Sequence, residues 1–377
     1  MKKIFLIVAI IIMAIFTGCS NTISNASSED EMTGRLGNNS VEESVMNETK
    51  PVNEDRSSIY EWGDGKILIK LDKLYLLDIK TQKILSEEPL KGLNYIEWYY
   101  TTNDGYCLID TYIIENDGII DDIIYNAYFY NKDLEQIKEM NLNELLDSDD
   151  ILAIAISKSG NKIAYTTFDG LFVYDMLKQT KQSILNLNSE NFEINKGFNV
   201  ITNIAFFNQD KKIAFIGYND KTTFGTINID GSELVDHKAT LPRLEHMDVS
   251  DTYLSFSEGL YPRGHGVPAG EVILINNATN QMLKHTLQDK NEGSNVFLSE
   301  EGKYFATSIQ KGSNEIIIRI YDSQTGELIR EIKRDFAGKP VEKYRRTYIK
   351  LFDSINTFIA VSTFFDGHEP MVVIDEF

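Results

Sequence analysis

The feature that most restricts how this chain folds is a repeat. An apolar run ending in Asp or Asn and followed by a polar turn occurs seven times: LYLLDIKTQKIL, AYFYNKDLEQIK, LFVYDMLKQTKQSIL, GTINIDGSELV, VILINNATNQMLKHTL, IRIYDSQTGELIREI and MVVIDEF. The anchors are Asp78, Asn131, Asp175, Asn228, Asn276, Asp322 and Asp375. They recur about every 50 residues, a period that marks a repeat architecture. Upstream of each lies a second landmark, a polar turn opening an apolar strand: WGDGKILIKL, TNDGYCLID, SKSGNKIAYTT, NQDKKIAFIG, VSDTYLSFS, SEEGKYFATS and DSINTFIAVS. Asp, Asn, Gly and Ser at turns bond their own backbone or accept positive φ, while alternating Val, Ile, Tyr and Phe suit a pleated surface. Each unit therefore reads strand, polar turn, strand, loop, strand, Asp or Asn turn, strand.

Four strands repeated seven times predict an all-β chain, a seven-bladed β-propeller over residues 59–377. Six or eight blades stay open, because the first unit, Trp62 to Glu87, is short and the second, Tyr99 to Leu146, is long. The hairpin turns argue against a parallel β-helix, whose strands need crossovers, and the period argues against a helical solenoid. MVVIDEF halts at its anchor and reads as the third strand of the last blade. Its fourth strand is expected from around Val41 to Val52, or is missing.

SKSGNKIAY, NQDKKIAF and SEEGKYFAT resemble the Ser-Pro-Asp-Gly-Lys-x-Ile-Ala-Phe signature of TolB-like and WD-repeat-related propellers. YDSQTGELIREI resembles the Asp-x-x-Thr-Gly-Lys/Glu turn of several propeller families. The resemblance covers residues 59–377 in outline and implies a fold and an extracytoplasmic habit, not an activity. The Gly-His and Trp-Asp signatures of true WD repeats are missing. With only Trp62 and Trp98, so is the Trp-docking pattern of quinoprotein dehydrogenases.

At the N-terminus, Lys2 and Lys3 lead into an unbroken apolar run from Ile4 to Phe16, and Thr17 and Gly18 precede Cys19. Such a run suits a secretory signal core and is too short to span a bilayer. FTGCS resembles the lipobox of bacterial lipoproteins. It implies that residues 1–18 are a removed signal peptide and that Cys19 becomes an acylated, palmitate-bearing terminus on the extracytoplasmic side of the cell membrane. Residues 19–58 are rich in Ser, Asn, Glu and Thr and hold no aromatic, so they read as a disordered tether reaching about 30 to 35 Å. The formal charge is −20, which makes nucleic acid and anionic headgroups poor partners for the surface as a whole. Cys107, in the β-like run YCLIDTYII, has no disulfide partner once Cys19 is acylated and reads as a buried, inert thiol.

In a propeller the first-to-second and third-to-fourth turns share one face, while second-to-third loops and blade-to-blade connections share the other. The landmark spacing places extra length in the second-to-third loops of the second and fifth blades. Long connections at Asn141 to Asp150, Asn186 to Asn199 and Lys333 to Thr347 fall on that same face. Length that a scaffold does not need is where binding is usually placed. Three segments there bear chemistry. GLYPRGHGVPAGEV supplies Arg263 and His265 as candidates for an anionic or polar ligand, its glycines wrongly spaced for a dinucleotide fingerprint. KRDFAGKPVEKYRR supplies Arg334, Lys339, Arg345 and Arg346, whose forks suit carboxylates or phosphates. Glu115, Asp117, Asp121 and Asp122 in one loop, and Glu144, Asp147, Asp149 and Asp150 in a connection, read as solvated charge, since DSDDILAI lacks the glycine and distal glutamate of an EF-hand.

No Gly-x-Ser-x-Gly, His-Glu-x-x-His or Cys-x-x-Cys occurs, and the five histidines are scattered singly. The sequence assigns no catalytic residue, cofactor or metal. The leading reading is a membrane-anchored, extracytoplasmic lipoprotein whose propeller binds a protein, peptide or envelope polymer through its long-loop face. The alternative is a propeller hydrolase or lyase acting on an envelope or extracellular saccharide or peptide, with His265 and loop carboxylates as its chemistry.

Overall fold

The computed structural model describes residues 58–63, 66–70, 73–78, 81, 83–89, 96–116, 119–187, 200–218, 222–238, 246–257, 270–289, 295–311, 315–335, 344–364 and 371–377. Seven antiparallel sheets follow one another along the chain, each with its strands in sequence order. Blade 1 comprises β1 (Ser58–Gly63), β2 (Lys66–Lys70), β3 (Lys73–Asp78) and β4 (Lys83–Pro89). Blade 2 comprises β5 (Ile96–Thr102), β6 (Gly105–Asn116), β7 (Ile119–Asn131) and β8 (Gln136–Asn141), followed by the short helix α1 (Leu142–Leu146). Blade 3 is built from β9 (Ala153–Ile156), β10 (Lys162–Thr167), β11 (Gly170–Asp175) and β12 (Thr180–Asn186). Blade 4 follows with β13 (Val200–Phe207), β14 (Lys212–Tyr218), β15 (Thr222–Asn228) and β16 (Val235–Lys238). β17 (His246–Val249), β18 (Tyr253–Ser257), β19 (Glu271–Asn276) and β20 (Met282–Thr286) make blade 5. β21 (Val296–Leu298), β22 (Tyr304–Lys311), β23 (Glu315–Asp322) and β24 (Leu328–Asp335) make blade 6. Blade 7 has three strands, β25 (Tyr344–Phe352), β26 (Thr357–Phe364) and β27 (Met371–Glu376).

The first strands of successive blades pack side by side, β1 with β5, β5 with β9 and so on round to β25, which lies against β1. The ring therefore closes on seven blades, a seven-bladed β-propeller. The described residues fall into two compact units: the ring, within Asn53–Tyr112 and Ile123–Phe377, and Ile113–Asp122, at the far ends of β6 and β7. The second is taken by itself below. No helix among the described residues is long and apolar enough to cross a membrane.

Blades adhere because their inner strands are apolar on both faces. In β14, Ile213 and Phe215 pack toward blade 3, while Ala214 and Ile216 pack toward blade 5. Each pair of neighbouring blades shares one such cluster. The smallest, Ile67 and Leu77 with Phe352 and Ile359, joins blade 1 to blade 7. Each fully buried side chain of this kind contributes about 1.5 to 3 kcal/mol. Cys107 is among them, fully buried between blades 2 and 3, and burial pushes its thiol well above the usual range.

The outermost strands carry the devices expected of sheet edges. Registers slip by a bulge in β4, β8, β12 and β24, and β16 and β20 are short. β27 is indeed a third strand, paired in register with β26 from Thr357 and Glu376 to Ser362 and Met371. Residues 41–52, from which a fourth strand is expected, lie outside the described residues, as do the signal peptide and nearly all of the tether, including Cys19.

Candidate functional site

In five of the six complete Asp or Asn turns the anchor's own side-chain oxygen accepts from backbone amides, as its chemistry requires, and in the turn after Asn228 it is Asp230 that accepts from the Ser232 amide. Asp322 Oδ1 accepts from the amides of Gln324 and Thr325 at 2.9 and 2.8 Å, and Asn276 Oδ1 from those of Ala278 and Thr279 at 3.0 Å. These turns share a face with the polar turns between first and second strands. There the blades are stitched to one another. Asp210, in the turn of blade 4, accepts from the amides of Lys158 and Ser159 in the turn of blade 3 at 2.8 and 2.9 Å. Asp353 of blade 7 accepts from the Glu301 amide of blade 6 at 2.9 Å. The Asn103 amide of blade 2 donates to the Lys158 carbonyl of blade 3 at 2.8 Å. His285 joins in with a ring nitrogen 2.9 Å from the Ser323 carbonyl. Side chains with the look of a ligand-binding rim are here committed to the ring's own backbone.

The opposite face, which carries the connections, differs in length. No turn on the first face exceeds six residues, whereas connections 187–199 and the loop 258–270 run to thirteen. The segment Asn141–Asp150, expected as a loop, contains α1. Asn141 caps it by accepting from the Glu144 amide at 3.1 Å. Asn143 then imitates a strand: its Oδ1 accepts from the Tyr125 amide at 2.8 Å and its Nδ2 donates to the Ile123 carbonyl at 2.9 Å. β7 is thereby capped where β8 no longer reaches it. Asp149 and Asp169 stand near Asp150, and burial together with their charge pushes its carboxyl above the usual range.

The first strands of blades 2 to 5 line a half-open cavity of about 340 Å³. Its lining includes Tyr99, Tyr100, Thr202, Asn203, His246 and Asp248. Much of this polarity is also spent on the ring. The Tyr100 hydroxyl donates to the Ile154 carbonyl in the next blade, and Asp248 accepts from the Leu298 amide of blade 6 at 2.7 Å. His246 meets the Phe297 ring edge-on, 5.4 Å between centroids. The volume sits at the small end of ligand pockets. Among the described residues no group of three His, Cys, Asp or Glu side chains is placed to hold a metal.

Of the residues singled out from sequence, Arg263, His265 and Lys339 lie outside the described residues. Arg345 and Arg346 fall in β25, at a bulge where Arg346 pairs with Thr363, and their side chains lie outside the described set. Arg334 donates to Asp375 at 2.7 Å, with Arg330 3.8 Å from the same carboxylate, so the last anchor joins blade 7 to blade 6. Glu115, Asp121 and Asp122 do not share a loop: they belong to β6 and β7, which extend to within two residues of each other. Period-two alternation in that stretch was masked by its acids. Sequence reasoning also missed the channel residues, although HMDV and VITN are unusually polar for innermost strands beside AIAI and VFL.

No family model matches the chain, and no curated protein matches it in sequence. Solved structures do match its fold. The β-propeller domain of Cps50 (Swd1) from Myceliophteria thermophila superimposes with a TM-score of 0.53 at 9% identity, over 84% of this chain and 98% of that one. Hsv2p of Kluyveromyces lactis gives 0.46 at 17% identity, over 74% of each chain. An acylaminoacyl peptidase of Pyrococcus horikoshii gives 0.47 at 15%, over 74% of this chain and 44% of the other. At such identities the likeness is one of fold alone, and the fold it supports is the β-propeller.

Proposed function

We propose that this chain is a lipid-anchored, extracytoplasmic binding module, held to the membrane through Cys19 and a tether, whose propeller engages a protein, peptide or envelope polymer with its connection face. The observation that carries the reading is the contrast between faces. Polar side chains on the turn face are consumed by bonds within and between blades, while chain length beyond the needs of the ring accumulates on the other. Non-essential length on a rigid scaffold is where recognition concentrates.

Affinity purification of the full chain from intact envelopes tests it, with loop 258–269 shortened to a Gly-Ser linker in the comparison sample. A partner recovered by the parent and lost by the shortened form, both folded, supports the module. Undiminished recovery removes the connection face from consideration, and substrate turnover abolished by His265→Ala replaces binding with catalysis. Cys19→Ala is expected to move the protein out of the membrane fraction, and retention there would overturn the anchor.

A further inference from the structure

His237 is the second-last residue of β16, the outermost strand of blade 4, and stands opposite Phe224 of β15. The two rings stack at 5.5 Å between centroids with 15° between their planes. Phe224 is fully buried and meets Phe256 of blade 5 at 4.4 Å. His237 therefore ends an aromatic row that crosses the seam between blades 4 and 5. All three rings sit toward the connection-face ends of their strands, second-last in β16 and β18 and third in β15. β16 has little else to hold it: it spans four residues, and its strand partner among the described residues is β15, paired from Thr226 with Val235 to Thr223 with Lys238.

The ring is placed where a proton is hard to accommodate. Its Nε2 is buried and has no hydrogen-bond partner among the described residues. A neutral imidazole can present a bare lone pair there, whereas the protonated ring carries a charged N–H with no acceptor, the costlier state in apolar surroundings. The neighbouring elements offer no relief. β15 contains no charged residue. Blade 5 turns Met247, Phe256 and Ile273 toward the seam, and on that side Lys284, opposite Ile273, is bonded to Glu271 at 2.8 Å. On β16 itself Asp236 is exposed and Lys238 follows in sequence. Burial holds the imidazole below its ordinary 6.5, and the charge of Asp236 opposes this without overcoming it.

We infer that His237 is an acid-sensitive latch on blade 4: neutral, it completes the aromatic row and holds β16 at the seam with blade 5; protonated, it releases that strand. The latch stands apart from the binding reading above, since it concerns how two blades hold together. Its contribution is fully present above the ordinary histidine value and is lost as pH falls from there through the folded value.

Amide exchange of the full chain at a series of pH values between about 7.5 and about 5, each rate expressed as protection relative to an unstructured peptide, tests the latch. Protection in β15 and β16 should fall about tenfold per pH unit between the ordinary and the folded value. Amides of β6, in a blade without histidine, should keep theirs. His237→Phe retains an aromatic ring and cannot take the proton, so it should abolish the fall. A fall of the same size in His237→Phe overturns the latch, as does protection in β16 that is independent of pH, or a fall shared equally by β6. If His237→Phe does not fold, the titration of the His237 ring in the parent decides: a midpoint below the ordinary value supports the latch, and one at or above it overturns it.

Discussion

On the turn face, Asp210 gives one carboxylate oxygen to the Lys158 amide and the other to the Ser159 amide, tying blade 4 to blade 3. On the connection face, Asp150 has Asp149 and Asp169 for neighbours, and its carboxyl is pushed up by burial and their charge. The same residue type serves cohesion at one end of the strands and adds unbalanced charge at the other. Stability is therefore expected to reside in the turn face and recognition in the connection face. Substitutions at the two ends should separate the two properties.

The largest effect is expected at Gly105, in the first turn of blade 2. A β-carbon there would stand 1.9 Å from the Tyr130 carbonyl oxygen, a backbone atom that cannot step aside without moving β7. Gly105→Ala should cost about 3 kcal/mol, an overpacking penalty at the upper end of its range. Urea unfolding reads it directly. A midpoint equal to that of the parent would mean that the turn face yields far more easily than its hydrogen bonds imply.

Next comes Asp210→Ala, which leaves two amides of the neighbouring blade without their acceptor. Its expected cost is about 2 kcal/mol, whereas Asp210→Asn keeps one acceptor oxygen and should cost about half of that. An Ala variant as stable as the parent would show that the stitch between blades 3 and 4 is incidental.

Which of these contacts were legible beforehand follows from their range along the chain. The anchors were legible because an Asx turn is closed within three residues, as Asp322 does with Gln324 and Thr325. Blade count was legible because the turns recur with a period. The stitches were not, since Asp210 and Lys158 are 52 residues apart and nothing in NQDKKIAF says that its aspartate points at the preceding repeat. The long second blade was seen as length but read as an acidic loop. Its charges concealed two strands, the first of which leaves Ile113 and Ile114 exposed. Nor could pattern alone show that an asparagine in α1 would cap a strand edge, a contact that depends on where the helix is laid down.

Acid sharpens the comparison with a smaller effect, opposite in sign at the two ends. Hydrogen bonds from the Ser232 hydroxyl and amide hold Asp230, on the turn face, below its ordinary 3.8. Its contribution is present above the unfolded-state value and is lost as pH falls through the folded one. Asp150 is raised above 3.8, so the folded state takes up its proton first, and the residue costs stability at neutral pH that is relieved as pH drops through its folded value. Asp150→Asn should accordingly be slightly more stable than the parent at pH 7 and level with it in acid. Asp230→Asn should be less stable at pH 7 and level in acid. Unfolding midpoints measured against pH check both, and equal pH profiles for the two variants would erase the distinction between the faces.

The smallest effect is expected from Ile113→Ser, and its smallness is informative. At half exposure this side chain buries too little to support the ring, so the substitution should leave the unfolding midpoint within about 0.5 kcal/mol. A loss of 2 kcal/mol or more would place Ile113 in a packed core. An unchanged midpoint would instead mark Ile113 as a residue that stability can spare, in contrast to Gly105 and Asp210 on the turn face.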